Sequence, residues 1–124
     1  MNVLIVGATS GIGKELLTQY VEQGHSVIAC GRRKTILAEL SALNPLVKGV
    51  SLDICDLDST IQTISGLFAQ MRIDIAIVTA GIGDLNPTLD SVIELNTLQT
   101  NVVAWTKIVL TYYIRHFKSK VLGI

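Results

Sequence analysis

The sequence predicts an α/β fold in which a parallel β-sheet carries helices on both faces. Short apolar runs alternate with amphipathic stretches along all 124 residues, and a glycine-rich turn joins the first apolar run to the first amphipathic one. Strands that are separated by helices pair in parallel through right-handed crossovers. The loops that follow the strands then lie at one edge of the sheet, where a ligand crevice is expected.

The chain begins with a strand, a turn that contains three glycines, and a helix. Asn2–Val6 is an apolar run of strand length, and Gly7-Ala8-Thr9-Ser10-Gly11-Ile12-Gly13 follows it. The pattern predicts a helix over Gly11–Gln23, because Gly24 is a normal stop signal. The N–H groups and the positive dipole end of that helix would face the turn, so this segment predicts a seat for the phosphates of a dinucleotide.

Each glycine of the turn has a separate predicted task. Gly7 can adopt φ angles that are closed to other residues. Gly11 lets the backbone approach a pyrophosphate, and Gly13 lets the helix pack closely on the strand. The cofactor contacts predicted in this turn are Gly7, Thr9, Ser10, Gly11, Ile12 and Gly13.

Two other glycine-rich motifs and a plain connecting turn are alternatives. The Gly-x-Gly-x-x-Gly motif is absent, because Thr9 stands at the position of its second glycine. A phosphate-binding P-loop requires glycine at position 8 and Ser or Thr at position 15, where the chain has Ala8 and Glu15. The P-loop hypothesis therefore lacks its magnesium-binding hydroxyl. A turn that only joins a strand to a helix remains as the third alternative.

The next elements continue the alternation. His25–Cys30 is predicted as the second strand and Lys34–Leu43 as a helix. That helix ends before Asn44-Pro45, because proline disfavours helix in the residue that precedes it. Leu46–Leu52 is predicted as the third strand.

A third helix and a fourth strand follow. The helix is predicted over Ser59–Gln70, with Asp56 or Asp58 as its N-cap. Ile73–Thr79 is apolar almost throughout, which is expected of a strand that is covered on both faces.

The last third of the chain predicts one long helix and the start of a fifth strand. The helix is predicted over Leu89–Lys118, and Val121–Ile124 is the candidate strand, so the sheet is expected to be truncated where that strand begins. Apolar and aromatic residues at helical spacing indicate a core or interface face rather than a cofactor site. These residues are Trp105, Val109, Tyr112, Tyr113 and Phe117.

Composition predicts one domain over residues 1–124 and excludes several partners. Ten basic and ten acidic residues cancel, which argues against nucleic acid or an anionic membrane as a partner. Apolar residues make up 49% and charged residues 16%, so some faces are expected to be covered, either by a partner subunit or by further chain. Cys30 and Cys55 do not make a disulfide framework, and no leader or membrane-length apolar run is present. We expect a soluble cytoplasmic protein with no metal site.

Basic residues follow the second strand, where an NAD-binding crevice would have an acid for the ribose hydroxyls. Arg32 and Arg33 stand there instead, between Gly31 and Lys34. Arginine suits a 2′-phosphate through its fixed donors and delocalised charge, and its plane can stack on adenine. The alternative is a solvated basic cluster, although three positive charges at a helix start oppose the helix dipole. The sequence therefore predicts NADP(H) in preference to NAD(H).

Candidate cofactor contacts also follow the third and fourth strands. The Asp53 carboxylate can accept a hydrogen bond from an adenine amino group, or it can bond its own loop backbone as an Asx turn does, and both remain open. Ile54 is the neighbouring candidate contact. The small residues Ala80 and Gly81 let the backbone pass close to ribose and nicotinamide, although small residues also occur in ordinary turns.

Asn101 lies inside the long predicted helix, amid apolar neighbours. Asparagine costs helix propensity, and a buried amide needs hydrogen-bond partners. A structural hydrogen bond and a catalytic role are both open for this residue when the helix is considered alone.

In this order, the motifs resemble those of the short-chain dehydrogenase/reductase family, whose members have a Rossmann-type, doubly wound sheet. The family's Thr-Gly-x-x-x-Gly-x-Gly corresponds to residues 6–13, with Val6 in place of the threonine. Its Asn-Asn-Ala-Gly corresponds to residues 78–81, of which only Ala80 and Gly81 are kept. The match extends over the whole chain.

The resemblance also implies roles for residues after the second and third strands and in the long helix. It implies that Asp53 contacts adenine and that Asn101 helps to hold a proton-relay water. Gly31-Arg32-Arg33 looks like the NADP-preferring branch of the family. The implied activity is hydride transfer between nicotinamide and a small carbonyl or alcohol substrate.

The family's catalytic Ser, Tyr and Lys have no counterpart in this sequence. Tyr113 and Lys118 are five residues apart and lie in the wrong element for Tyr-x-x-x-Lys. The leading hypothesis is therefore the cofactor-binding half of an NADP(H)-dependent oxidoreductase, inactive by itself and homo-oligomeric through the long last helix. The alternative is a non-catalytic nucleotide-binding or self-associating module. A methyltransferase would require an acid after the second strand, where Gly31-Arg32-Arg33 stands.

Overall fold

The first half of the chain folds as three strands that alternate with helices. The computed structural model describes residues 1–79 and 87–113, and the strands are β1 (Asn2–Val6), β2 (Ser26–Gly31) and β3 (Val47–Ser51). Helix α1 spans Gly11–Glu22 and α2 spans Lys34–Leu43. All five elements were predicted, and their boundaries differ from the prediction by at most one residue.

The second half adds one strand and a helical stretch that is divided into three parts. Helix α3 spans Leu57–Gln70 and β4 spans Ile75–Val78. The helical stretch consists of α4 (Ser91–Leu98), a π-helical segment (Gln99–Ala104) and α5 (Trp105–Tyr113). The fifth strand predicted from residue 121 and the end of the long helix lie outside the described residues.

The strands form a parallel sheet in the order β3-β2-β1-β4. Pairing of β1 with β2 aligns Val3 with Val27, and pairing of β1 with β4 aligns Val3 with Ile75. The order reverses at β1, because the chain builds the sheet first towards β3 and then, from β1, towards β4. In sheets of this kind ligands bind outside the carboxyl ends of the strands at the reversal point.

Two hydrophobic clusters cover the two faces of the sheet. Leu4 and Val6 of β1 face α3 and α5, where Ile64 and Ile108 complete the buried cluster. Val3 and Ile5 belong to the cluster that α1 and α2 cover with Leu17 and Leu37. Because successive side chains of a strand point to opposite faces, a β1 that is buried on both faces has to be apolar at nearly every position. The structure confirms the predicted parallel sheet with helices on both faces.

Strand β4 differs from its prediction. We expected a strand covered on both faces over Ile73–Thr79, but β4 has only four residues, and each of them is partly exposed. The reason is its place in the sheet, since β4 pairs only with β1 among the described strands.

The helical stretch begins later than predicted and is not uniformly α-helical. Leu89 has φ 55°, in the left-handed region, so the helix cannot begin there. Asp90 is the N-cap, and its carboxylate accepts the N–H of Val92 at 2.8 Å. Ala104, at the end of the π-helical segment, and Ile108 of α5 are buried, whereas Trp105 is exposed. Along the described part of the chain, no helix combines the length and the apolarity that spanning a bilayer would demand.

Candidate cofactor-binding site

A cavity of about 270 Å³ lies at the carboxyl ends of the strands, between the glycine turn, the end of β2 and the segment after β3. It brings together most of the residues that the sequence predicted as cofactor contacts. Those that line it are Gly7, Thr9, Ser10, Gly11, Ile12, Gly13, Arg32, Arg33, Asp53 and Ile54. Ala80 and Gly81 lie outside the described residues.

The glycine turn is held against the end of β2. The N–H groups of Gly7 and Ala8 both donate to the carbonyl oxygen of Cys30, at 2.9 and 3.1 Å. Gly7 has φ 99° and Gly11 has φ 55°, so the chain turns twice through conformations that side-chain-bearing residues seldom adopt. These two angles explain the glycines at positions 7 and 11 without reference to any ligand.

Gly13 is required by close packing rather than by its backbone angles. A Cβ added there would lie 2.0 Å from the carbonyl oxygen of Gly7 and 2.6 Å from the Thr79 hydroxyl. The missing side chain lets the first turn of α1 sit directly on the end of β1. The structure agrees with the packing role that the sequence predicted for this glycine.

The N-terminus of α1 opens onto the cavity. Ser10 is its N-cap residue and makes no side-chain capping hydrogen bond. The first N–H groups of a helix have no partner inside the helix, so this end offers donors and a positive dipole to an anion. Next to Gly11, the Ile12 side chain is 73% exposed at the rim of the cavity.

Thr79 is a cavity residue that sequence reasoning missed. Its N–H donates to the carbonyl oxygen of Val6 at 2.9 Å, and its hydroxyl lies 3.3 Å from the carbonyl oxygens of both Val6 and Gly7. The hydroxyl thus ties the end of β4 to the glycine turn. Leu52 and Cys55 also line the cavity without having been predicted.

Arg32 and Arg33 place two positive charges on the cavity wall. Both are exposed, and Arg33 is the N-cap residue of α2. The first turn of α2 contains no acidic residue, and in the part of the chain that the structure describes neither guanidinium pairs with a carboxylate. The local charge is therefore available to an anionic ligand.

Asp53 makes the Asx turn that was one of its two predicted roles. Its Oδ1 accepts the N–H of Cys55 at 3.0 Å, and its carbonyl oxygen accepts the Thr60 hydroxyl at 2.8 Å. The carboxylate nevertheless stays exposed on the cavity wall beside the buried Ile54. Fixing the loop and facing a ligand are thus compatible for this residue.

The two cysteines have different surroundings. Cys30 is fully buried at the end of β2, and burial raises the pKa of its thiol to about 12, which keeps it protonated and unreactive. Cys55 is exposed on the cavity wall, with its Sγ 4.0 Å from the Oδ1 of Asn96 in α4.

Asn101 lies in the π-helical segment and is not among the described residues that line the cavity. Its side chain is exposed, so the apolar surroundings expected from the sequence are not found. Short π-helical segments occur frequently at functional sites, because the extra residue shifts the side chains that follow it.

Comparison with models of known protein families identifies the family to which this chain is related. A family model described as short chain dehydrogenase matches residues 1–124. The chain belongs to the short-chain dehydrogenase family. The resemblance stated from the motifs is confirmed, and the parallel sheet described above is the Rossmann-type sheet of this family.

Two curated relatives illustrate the relationship within the family. Serine 3-dehydrogenase of Rhizobium radiobacter is 42% identical over 82 residues, which are 64% of this chain and 33% of that protein. The NADP-dependent 3-hydroxy acid dehydrogenase YdfG of Salmonella typhi is 30% identical over 132 aligned residues, covering 100% of this chain and 53% of that protein. The chain thus spans between a third and about half of the length of these short-chain dehydrogenases.

Solved structures agree with the fold. Serine dehydrogenase from Escherichia coli superposes with a TM-score of 0.73 at 29% identity, over 92% of this chain and 56% of that one. A short-chain dehydrogenase from Sphingobium yanoikuyae, solved in complex with NADPH, has a TM-score of 0.82 at 23% identity, over 95% of this chain and 49% of that one. The second likeness shows the shared fold alone.

Proposed function

We propose that this chain is the cofactor-binding part of an NADP(H)-dependent oxidoreductase, which transfers a hydride between nicotinamide and a small carbonyl or alcohol compound. The observation that carries the proposal is the pair Arg32 and Arg33, exposed on the cavity wall and without carboxylate partners among the described residues. A 2′-phosphate is the anion that distinguishes NADP(H) from NAD(H), and guanidinium groups bind phosphate through paired donors. An acid for the ribose hydroxyls is absent from the end of β2.

The residues present fit such a cofactor. The uncapped start of α1 and the open space beside Gly11 suit a pyrophosphate. Arg32 and Arg33 suit a 2′-phosphate, and Asp53 suits an adenine amino group. When bound, the nicotinamide cofactor supplies or accepts the hydride. The chain's own residues in this cavity bind and orient the cofactor.

The proposal assigns further features beyond the cavity. Asn101 helps to hold a proton-relay water, Ala80 and Gly81 border the ribose and nicotinamide, and residues 1–124 form one cofactor-binding domain. Without counterparts of the family's Ser, Tyr and Lys, this chain alone binds cofactor and does not turn it over. Cys30 and Cys55 are not joined in a disulfide, which suits the reducing cytoplasm.

Titration of the purified chain with NADPH and NADH tests the proposal. We expect Arg32→Ala to weaken NADPH binding about 10- to 100-fold and NADH binding little, because a charge-assisted hydrogen bond contributes roughly 1.5–3 kcal/mol. Lys34→Ala is the matched control, since it removes one exposed neighbouring charge that does not line the cavity. An unchanged NADPH dissociation constant in Arg32→Ala contradicts the assignment.

A second candidate function is a self-associating module without catalysis. The observation that favours it is a stripe of exposed apolar side chains along α4, the π-helical segment and α5, which we call the apolar stripe: Val92, Leu95, Leu98, Val102 and Trp105. Contiguous exposed apolar surface often marks an interaction site. Turnover of NADPH with a panel of small carbonyl compounds separates the two functions for any form of the protein that carries the family's remaining catalytic residues.

A further inference from the structure

Thr60 carries a hydroxyl into the interior of the protein. It lies near the start of α3, has no exposed surface, and is the one residue with a polar side chain that is buried in the described part of the chain. Burying a hydroxyl is costly unless it forms a hydrogen bond, and valine would fill the same space without that cost. A threonine at this position therefore indicates a specific partner for its hydroxyl.

The partner of the Thr60 hydroxyl lies outside helix α3. A threonine inside a helix commonly donates its hydroxyl to the carbonyl oxygen four residues earlier, as Thr111 does to Lys107 at 2.8 Å. For Thr60 that oxygen belongs to Asp56 and accepts the N–H of Thr60 itself. The Thr60 hydroxyl instead donates to the carbonyl oxygen of Asp53, seven residues earlier, at 2.8 Å. It thus joins the first turns of α3 to the segment after β3.

This hydrogen bond is part of a set that fixes the backbone and the carboxylate of Asp53. The same carbonyl oxygen also accepts the N–H of Asp56 at 2.9 Å, so both of its lone pairs are used. The neighbouring side chains of Leu52 and Ile54 are buried, whereas Asp53 is exposed on the cavity wall. Oδ1 of Asp53 accepts the N–H of Cys55, which leaves Oδ2 outside the Asx turn. The direction of Oδ2 therefore depends on how this backbone is held.

We propose that Thr60 is a positioning residue for the cofactor: its hydroxyl holds the backbone of Asp53 so that the Asp53 carboxylate faces the adenine amino group. Thr60 is not among the described residues that line the cavity, so it acts only through Asp53. Hydrogen bonds weaken steeply as their angle departs from linearity, so a small rotation at Asp53 is enough to weaken the contact with adenine. This inference rests on the function proposed above.

The test compares NADPH with its deamino analogue, in which a carbonyl oxygen replaces the adenine amino group. Because that oxygen cannot donate a hydrogen bond, we expect the parent to bind NADPH about tenfold or more tightly than the analogue, the value of one charge-assisted hydrogen bond. Thr60→Val keeps the shape of the side chain without the hydroxyl, and Thr60→Ser keeps the hydroxyl without the methyl group. Thr60→Ala has neither. We expect the preference for NADPH to fall by about threefold or more in Val and Ala and to persist in Ser.

Two controls separate positioning from a general loss of stability. Thr111→Val removes a hydroxyl that bonds only within its own helix, and the preference for NADPH should not change. Thr60→Ser loses a buried methyl group, so its thermal unfolding midpoint should fall although its preference persists. A preference that follows the unfolding midpoint, rather than the presence of the hydroxyl, overturns the inference. If Thr60→Val does not fold, Ser and Ala form the second pair that differs only by the hydroxyl.

The remaining outcomes distinguish this inference from the proposed function. An unchanged preference in both Thr60→Val and Thr60→Ala overturns the role of Thr60 and leaves the proposed function in place. A parent that binds NADPH and its deamino analogue equally overturns the contact between Asp53 and adenine, and the role of Thr60 falls with it. A parent that binds neither compound overturns the proposed function itself, together with this inference.

Discussion

Asp74 links its own segment to two distant parts of the chain, the start of β1 and helix α5. Its Oδ2 accepts the N–H of Asn2 at 2.9 Å, and its Oδ1 forms an ion pair with the Nε of Arg72 at 2.9 Å. The backbone carbonyl of Asp74 accepts the Tyr112 hydroxyl, also at 2.9 Å. The Asn2 N–H and the Arg72 guanidinium hold the pKa of the Asp74 carboxyl below its usual value, against a smaller opposing effect of burial.

This lowered pKa predicts a loss of stability in acid. A carboxyl whose pKa is lower in the folded state stabilises the protein above its unfolded pKa, near 3.9, and that contribution is lost as the pH falls through the folded pKa. We therefore expect Asp74→Asn to reduce the free energy of unfolding at pH 7, with a difference from the parent that shrinks below about pH 4. Urea unfolding at pH 7, 5 and 3 measures this difference in the free energy of unfolding. Glu39→Gln, at an exposed position on α2, is the control for the change in net charge. A difference that stays constant with pH contradicts the role.

Residues that act through a local pattern could be predicted from the sequence, whereas residues that act through a distant contact could not. Arg32 and Arg33 were predicted because the type of residue after a second strand has a direct chemical meaning. Thr79 was missed because its hydroxyl acts on the carbonyl oxygens of Val6 and Gly7, more than 70 positions away. The residues next to Thr79 in the sequence contain no pattern that predicts this contact.

At the scale of elements, α1 depends on the one glycine that lets its first turn rest on β1. We expect Gly13→Ala to destabilise the protein by about 1–3 kcal/mol or more, because the added Cβ meets the backbone oxygen of Gly7, which cannot rotate away. Gly66→Ala in α3 is the matched substitution, since nothing lies within 4 Å of its added Cβ, and it should stabilise by about 0.5–1 kcal/mol. Chemical denaturation of both variants measures the contrast, and two changes of the same sign contradict this account.

Helix ends with a chemical signal were predicted better than changes within a helix. The prediction of α2 over Lys34–Leu43 agrees with the structure at both ends, because Asn44-Pro45 cannot continue a helix. The π-helical segment Gln99–Ala104 was predicted as part of one long helix. Apolar spacing does not distinguish an α-helix from a helix with one inserted residue, so only coordinates reveal that change.

At the scale of the whole molecule, the apolar stripe predicts association between copies of the chain. Its members are exposed, whereas Ala104 and Ile108 of the same helical stretch are buried. The composition anticipated such a face, because 49% of the residues are apolar and 16% are charged. Which residues form it was not predictable, since both sides of this helix are apolar in sequence.

A charge in the middle of the stripe tests this association. Leu95 is 63% exposed, and we expect Leu95→Glu to shift the protein towards the monomer, because a carboxylate is costly to bury in an apolar interface. Leu43→Glu is the control, since Leu43 is 83% exposed but lies at the end of α2, outside the stripe. Sedimentation velocity compares the two variants with the parent. Equal distributions for all three contradict an interface at the stripe.

The strand order also determines when each strand can pair during synthesis of the chain. Strand β1 pairs on one side with β2, where Asn2 meets Ser26, and on the other side with β4, where Val3 meets Ile75. On a ribosome that adds about 5–20 residues per second, the 72 positions between Val3 and Ile75 take about 4–14 s to emerge. During that interval the edge of β1 that later pairs with β4 has no strand beside it. The glycine turn is complete only after Thr79 has been added, so the cavity is among the last features of this sheet to form.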